Sequence, residues 1–256
     1  GANMWWALFL VPFLVIRFFF FTTGFRRHIV KVGIINGTEA KPHSRPYMVS
    51  LQMGGRHMCG GFLVSDRYVM TAAHCYRNRP IFTAVLGAHD VSNNAEGSVR
   101  MEVEAYYPHQ QFNLYTADYD IMLLKLRSKV TPSASISWIT LPQKDEDIPA
   151  NTVCSVAGWG STAAFHPPTN RLMETQITII DRQTCAQYWS LTTRMVCAHY
   201  PGGSCQGDSG GPLVCNDVAA GIVSFGERRC DSTLRPNVYA RISGFLPWIS
   251  SIIARG

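Results

Sequence analysis

The sequence is short of charge: only 16% of its 256 residues are Asp, Glu, Lys or Arg, against 46% hydrophobic and 11% aromatic. A chain this apolar can offset the entropy of ordering by burial, which excludes an intrinsically disordered protein. Its length suffices for one large domain or two modest ones. Gly (21) and Pro (14) are not in excess, so collagen-like and low-complexity classes drop out. No C-x-x-C pair occurs, which removes the usual zinc and dithiol spacings. Concentrated basic charge is lacking as well. The net charge is +6, but Arg17, Arg26, Arg27 and Lys31 fall in the first 33 residues, where there is no Asp or Glu. The remainder is close to neutral and shows no basic stripe, so no nucleic-acid partner is expected.

Nor is there an unbroken apolar run of the roughly 20 residues that span a bilayer. Trp5 to Ile16 is apolar, Arg17 interrupts, and Phe18 to Phe21 resumes, followed by the small residues of Thr22-Thr23-Gly24. That length matches the core of a secretory signal, predicted over residues 1–24. The rival reading is a tilted anchor. It is opposed by Arg26, Arg27 and Lys31 after the run, which would hold the rest of the chain in the cytoplasm. All eight cysteines (Cys59, Cys75, Cys154, Cys185, Cys197, Cys205, Cys215 and Cys230) lie beyond this leader. An even number behind a secretory signal predicts four disulfides, an oxidising compartment and no membrane insertion after processing. Spacing alone leaves the pairing open.

From Ile34 onward, short runs rich in β-branched and aromatic residues alternate with turn signals, as in Tyr47–Gln52, Tyr68–Ala73, Ile121–Leu126 and Gly221–Phe225. Many short strands without interleaved helical patterns predict an all-β sandwich or barrel architecture. At the C-terminus Phe245, Trp248, Ile249, Ile252 and Ile253 recur at helical spacing, with Ser243 as the expected N-cap. The Pro- and Ser-containing stretch Ser128 to Gln143 is the candidate linker between two β halves.

Three places carry candidate chemistry. In Gly207-Asp208-Ser209-Gly210-Gly211-Pro212, glycines around one serine allow unusual φ values and let a substrate backbone approach. The N–H groups of Gly207 and Ser209 could converge on a developing oxyanion. A glycine-rich turn would explain the glycines, but gives no reason for the Asp-Ser at their centre. A serine hydroxyl needs a base, and His74 in Thr71-Ala-Ala-His-Cys75 offers one. The base needs an orienting acid. Asp120 opens an apolar strand, where an ionised carboxylate requires a partner such as a histidine N–H. Asp118, farther from the apolar run, reads as a solvated loop acid.

The order His74, Asp120, Ser209 resembles that of the chymotrypsin-like serine proteases. Ile34-Ile-Asn-Gly, Thr71-Ala-Ala-His-Cys, Asp120-Ile-Met-Leu-Leu, Ala157-Gly-Trp-Gly and Gly207-Asp-Ser-Gly-Gly-Pro all look like motifs of this family, in order over residues 34–256. Lys41-Pro-His-Ser-Arg-Pro-Tyr-Met further resembles the leukocyte granule branch of granzymes, mast-cell proteases and neutrophil proteases. The resemblance implies two antiparallel six-stranded β-barrels, about 34–139 and 140–256, with the active site between them and a C-terminal α-helix. It implies the disulfides Cys59–Cys75, Cys154–Cys215, Cys185–Cys197 and Cys205–Cys230, the last absent from several granzymes and chymases. Activity needs no cofactor or metal, and Ala88 stands where calcium-binding relatives have an acid.

By the same resemblance, residues 25–33 form a propeptide, and cleavage before Ile34 yields an ammonium that pairs with Asp208. Trimming by a dipeptidyl peptidase is the expected last step, because a cut after Lys31 leaves Val32-Gly33 attached. The primary specificity pocket comprises Gly203, Ser204, Ser224, Phe225, Gly226 and Asn237. Gly203 replaces the Asp of trypsin-like members, so uncharged side chains are preferred over Lys or Arg. Protein or peptide substrates are expected, with serpin-type inhibitors and an acidic proteoglycan as further partners, for a secreted or granule-stored monomer. Asn36-Gly-Thr38 is a glycosylation sequon. The rival function is a binding protein on a protease scaffold, opposed by the intact triad.

Overall fold

The computed structural model describes residues 34–93, 97–199, 202–232 and 234–255. The leader, the propeptide and the bond before Ile34 lie outside the described residues. Among the described residues no helix is long and apolar enough to cross a membrane.

The first barrel closes through β2 (Met48–Met53), β3 (Arg56–Leu63), β4 (Tyr68–Thr71), β7 (Met122–Leu126), β6 (Val99–Pro108) and β5 (Thr83–Leu86), in that spatial order. All its pairings are antiparallel. Gly54 and Gly55 make the β2–β3 turn with φ of 57° and 78°, values a hairpin turn twisted with its strands demands. The strands of this barrel bury Leu51, Phe62, Met70, Leu86, Leu123 and Leu124, all with no exposed surface. Burial of each such side chain is worth about 1.5–3 kcal/mol.

The second barrel contains β8 (Val153–Gly158), β9 (Met173–Ile180), β10 (Met195–His199), β13 (Asn237–Arg241), β12 (Val218–Phe225) and β11 (Pro212–Cys215), closed by pairing β9 with β8. A two-residue strand, β1 (Thr38–Glu39), adds to the edge of β9. Val156, Ile177, Leu213 and Tyr239 fill this barrel, and Ile34 is buried among them. No strand occurs between β7 and β8. That connection instead sinks Ile136 and Ile139 into the first core, which anchors it without regular structure.

A four-residue helix, α1 (Arg182–Cys185), is capped by Asp181. The C-terminal helix, α2 (Leu246–Ile253), buries Ile249 and Ile252, and Ile252 O accepts the Tyr68 hydroxyl at 3.4 Å, so the last helix packs back onto the first barrel. Ser243 is not its N-cap. Phe245 holds that position without a side-chain cap. The Ser243 hydroxyl is instead held by Arg241 Nη1 at 2.6 Å and donates to Glu146 O at 2.8 Å. Four disulfides join Cys59–Cys75, Cys154–Cys215, Cys185–Cys197 and Cys205–Cys230. Asn36 is exposed, with a left-handed φ of 56°.

Candidate active site

His74 lies on a single helical turn, Ala73–Tyr76, directly after β4. Cys75 ties this turn to β3 through Cys59. Asp120 lies two residues before β7, the strand paired with β4, and this pairing brings the two residues together. Asp120 is 1% exposed and spends both oxygens. Oδ1 accepts the His74 backbone N–H at 2.9 Å, and Oδ2 accepts His74 Nδ1–H at 2.7 Å and the Ser224 hydroxyl at 2.5 Å. The carboxylate therefore fixes the proton of His74 on Nδ1 and leaves Nε2 able to accept one. Burial pushes the His74 pKa down, but the charge and hydrogen bond of Asp120 outweigh it, and the net shift is upward from 6.5.

Ser209 comes from the other barrel and is held there through its backbone. Its carbonyl accepts Gly60 N–H of β3 at 2.8 Å and lies 3.8 Å from Cys75 Sγ, beside the His74 turn. Gly207 has φ of 96°, a conformation that side-chain-bearing residues rarely adopt. The N–H groups of Asp208, Gly210 and Gly211 are taken up by Cys205 O, Val223 O and Asp208 O. Among the described residues, none takes up the N–H of Gly207 or of Ser209.

His57 is a site residue that sequence reasoning missed. Its Nε2 lies 2.8 Å from Gly207 O and its Nδ1 2.8 Å from Ser50 Oγ. A carbonyl can only accept, so Nε2 carries the proton and Nδ1 accepts from the serine hydroxyl. Burial lowers the His57 pKa more than the Gly207 carbonyl raises it, which keeps the ring neutral. The ring thus ties the Gly207 peptide to the first barrel. Its place two residues before Cys59 was the available signal.

Asp208 points away from Ser209 into a fully buried chamber. Gly160 N–H donates to Oδ1 at 2.9 Å and Cys205 N–H to Oδ2 at 2.8 Å. A Cβ on Gly158 or Gly160 would collide with this carboxylate, which gives Ala157-Gly-Trp-Gly its physical reason. Burial outweighs the two amides and pushes the Asp208 carboxyl up to about 7. Ile35 meanwhile exchanges two backbone hydrogen bonds with Gly203, at 2.9 and 3.2 Å, joining the segment after Ile34 to the pocket strand.

The pocket next to Ser209 encloses about 220 Å³ and is lined by Ser204, Ser224, Phe225, Gly226 and Asn237 among others. Gly203 lies beneath the side chain of Asn237, since a Cβ there would come 2.7 Å from Asn237 Nδ2. The carboxylate in the lining, Glu227, faces Arg235 at 3.6 Å.

Asp118 is not a solvated loop acid. Arg194 grips it through Nε at 2.9 Å and Nη2 at 2.5 Å, and the Thr192 hydroxyl donates at 3.0 Å. Partial burial raises its pKa, but these hydrogen bonds win and hold it below 3.8. The guanidinium also lies 4.1 Å over the Tyr119 ring. The pair thus links the loop before Asp120 to the loop before β10.

A serine anchored by its carbonyl to one barrel, beside an acid-bound histidine of that barrel, is an arrangement of the double-barrel serine proteases. Sequence comparison agrees: the family model described as Trypsin matches residues 34–249, and the chain belongs to the trypsin family and is a serine-type endopeptidase. It is 41% identical to mast cell protease 3 of Ovis aries over 84% of this chain and 87% of that protein. Identity is 42% to duodenase-1 of Bos taurus, with 87% and 90% covered, and 39% to a chymase of Papio hamadryas, with 86% and 90% covered. The similarity to the mast-cell protease branch is thereby borne out. Neuropsin, a serine protease expressed in the limbic system of mouse brain, superposes with a TM-score of 0.80 at 31% identity, covering 86% of this chain and 100% of that one.

Proposed function

We propose that Ser209, His74 and Asp120 form the catalytic triad of this protease. Ser209 Oγ attacks the scissile carbonyl while His74 Nε2 takes its proton. His74 then returns the proton to the leaving amine, and water hydrolyses the acyl-enzyme by the same route reversed. Asp120 stabilises the imidazolium, and the N–H groups of Gly207 and Ser209 receive the oxyanion. The observation that carries this reading is the 2.7 Å bond from His74 Nδ1 to Oδ2 of the buried Asp120. The chain is made as a zymogen, and cleavage before Ile34 frees an ammonium for Asp208. The leader and four disulfides support export, to the extracellular space or a secretory granule. Proteins or peptides are the substrates; serpin-type inhibitors and an acidic proteoglycan are the further partners of a monomeric enzyme.

The pocket favours uncharged P1 side chains. Asn237 covers Gly203, and Glu227 is engaged by Arg235, so a Lys or Arg tip would meet no dedicated carboxylate. Desolvating that cation without a partner is costly. A fluorophosphonate probe is expected to label the chain processed before Ile34 and not its Ser209→Ala variant. On amide substrates differing only at P1, Phe or Leu is expected to exceed Arg. Absence of labelling in folded protein refutes the triad, and a tenfold advantage for Arg refutes the pocket.

Because the His74 pKa is raised, its free base, the form that accepts the serine proton, is lost at a higher pH than for an ordinary histidine. The acidic limb of kcat/KM is therefore expected to have its midpoint above 6.5, with activity rising as His74 deprotonates. A midpoint below 6.5 in the processed enzyme would contradict the Asp120 contribution.

A further inference from the structure

Asp120 is not carried on a strand. It sits at the centre of a γ-turn in which Ile121 N–H donates to Tyr119 O at 2.8 Å. Just before it, Ala117 and Tyr119 both have left-handed backbones, with φ of 54° and 58°. Residues with side chains hold that conformation where the surroundings impose it. The preceding loop imposes little. Residues 113–116 are exposed, and Asn113 Oδ1 spends itself locally on the N–H groups of Tyr115 and Thr116, at 2.9 and 3.2 Å. The restraint comes instead from the other barrel. Arg194 donates to Asp118 through Nε at 2.9 Å and Nη2 at 2.5 Å, and its guanidinium lies 4.1 Å over the Tyr119 ring. Arg194 is itself fixed, because its carbonyl accepts Arg241 N–H at 2.8 Å where the ladder between β10 and β13 begins. His109 also stacks on Tyr119, at 4.7 Å, but it belongs to the same barrel as Asp120.

We infer that Arg194 is a positioning residue for the reaction: by gripping Asp118 and covering Tyr119 it holds the Asp120 backbone at the angle at which its carboxylate meets His74. The inference rests on the triad reading above. The Asp120 carboxylate serves three donors at once, two on His74 and one on Ser224. A small rotation of its backbone cannot keep all three, and the proton of His74 then loses its fixed place on Nδ1. The second barrel thus orients the acid of the triad as well as carrying Ser209. An arginine acting through its charge alone would have the opposite signature. Removing a cation near His74 favours the imidazolium, whereas loosening Asp120 disfavours it.

The test uses the full chain processed before Ile34, with active sites counted by fluorophosphonate labelling and folding followed by thermal unfolding. Arg194→Met keeps the length of the side chain and removes its charge and its fork. On an acetylated single-residue amide, kcat is expected to fall by about 10- to 100-fold, the cost of a slightly misplaced catalytic group, with KM little changed. Fluorophosphonate labelling is expected to slow by the same factor and reach the same end point. The acidic midpoint of kcat/KM is expected to move down towards 6.5, because Asp120 is what raises the His74 pKa. Arg194→Lys keeps the charge but cannot grip both oxygens, and is expected to lose less in the same direction. Unchanged kcat and labelling rate in folded Arg194→Met overturn the inference, as does a midpoint that moves up, or a loss confined to KM of longer peptides. If Arg194→Met does not fold, Arg194→Lys decides, and wild-type values in it overturn the inference. All these outcomes leave the protease reading intact. Failure of the wild-type enzyme to label overturns that reading and this inference together.

Discussion

Asp120→Asn in the processed enzyme is expected to lower kcat/KM by about 10⁴-fold with little change in folding stability. The reason lies in what each oxygen of Asp120 accepts. Oδ1 receives the His74 backbone N–H, and Oδ2 receives both His74 Nδ1–H and the Ser224 hydroxyl. An asparagine has one oxygen, and the backbone N–H, which cannot turn, claims it. The new NH₂ then faces two donors. Ser224 can rotate its hydroxyl to accept, but His74 can accept only by giving up the proton on Nδ1. The ring adopts the other tautomer, with its proton on Nε2 and no lone pair for Ser209. Steady-state kinetics with active-site titration measures the loss, and thermal unfolding reports on the fold. A loss below tenfold in a variant that unfolds like the wild type would remove Asp120 from its orienting role.

Leaving the residues before Ile34 attached is expected to reduce activity by about 100- to 1,000-fold, the effect of losing an oxyanion donor. Asp208 adjoins Gly207 and Ser209, the two proposed donors, and its buried carboxylate has two backbone amides to offset its charge. In the proposed activation, a new ammonium at buried Ile34 would supply the missing counter-charge and lock the turn. Asp208→Asn after processing is expected to lose activity on the same scale. Stability gives an independent reading. Without the ammonium, the folded pKa of Asp208 is about 7, above its ordinary 3.8. The folded state then binds the proton more tightly than the unfolded chain. Its contribution is fully present below 3.8 and is lost as pH rises to about 7, an effect of at most about 4 kcal/mol. The proposed pairing with the ammonium would hold Asp208 ionised and reverse the sign. The stability advantage of the processed form is therefore expected to widen between pH 4 and pH 7.5, and parallel unfolding profiles of the two forms would refute the pairing.

The candidate reactive residues stood out in the sequence because the chemistry proposed for them imposes local demands. A serine approached by a substrate backbone needs glycines beside it, and Gly207 does hold a φ of 96°. An acid at the head of a buried strand needs a nearby donor, which singled out Asp120. The strand-rich texture followed from short apolar runs broken by turn signals, such as those that form Tyr68–Thr71 and Met122–Leu126. Each of these signals is carried by residues within a few positions of one another, where backbone geometry and burial are set by the immediate neighbours.

Other features depended on contacts that no local window contains. Asp118 reads as a loop acid until Arg194, 76 residues away, is folded against it. His57 became a site residue only when the second barrel delivered Gly207 O, 150 positions later, to its Nε2. Ser243 had the character of a cap, but the Arg241 guanidinium and a carbonyl 97 residues upstream claimed its hydroxyl. Gly203 was readable as an absent acid, whereas the side chain of Asn237 that lies over it was placed there only by the fold. Sequence by itself determined the strand content, the candidate reactive groups and the backbone freedom around them, since those follow from residue type and near neighbours. Closure of the two barrels decided which of many polar groups share a buried space, because a hydrogen bond or a charge acts only over a few ångströms and chain distance does not measure that.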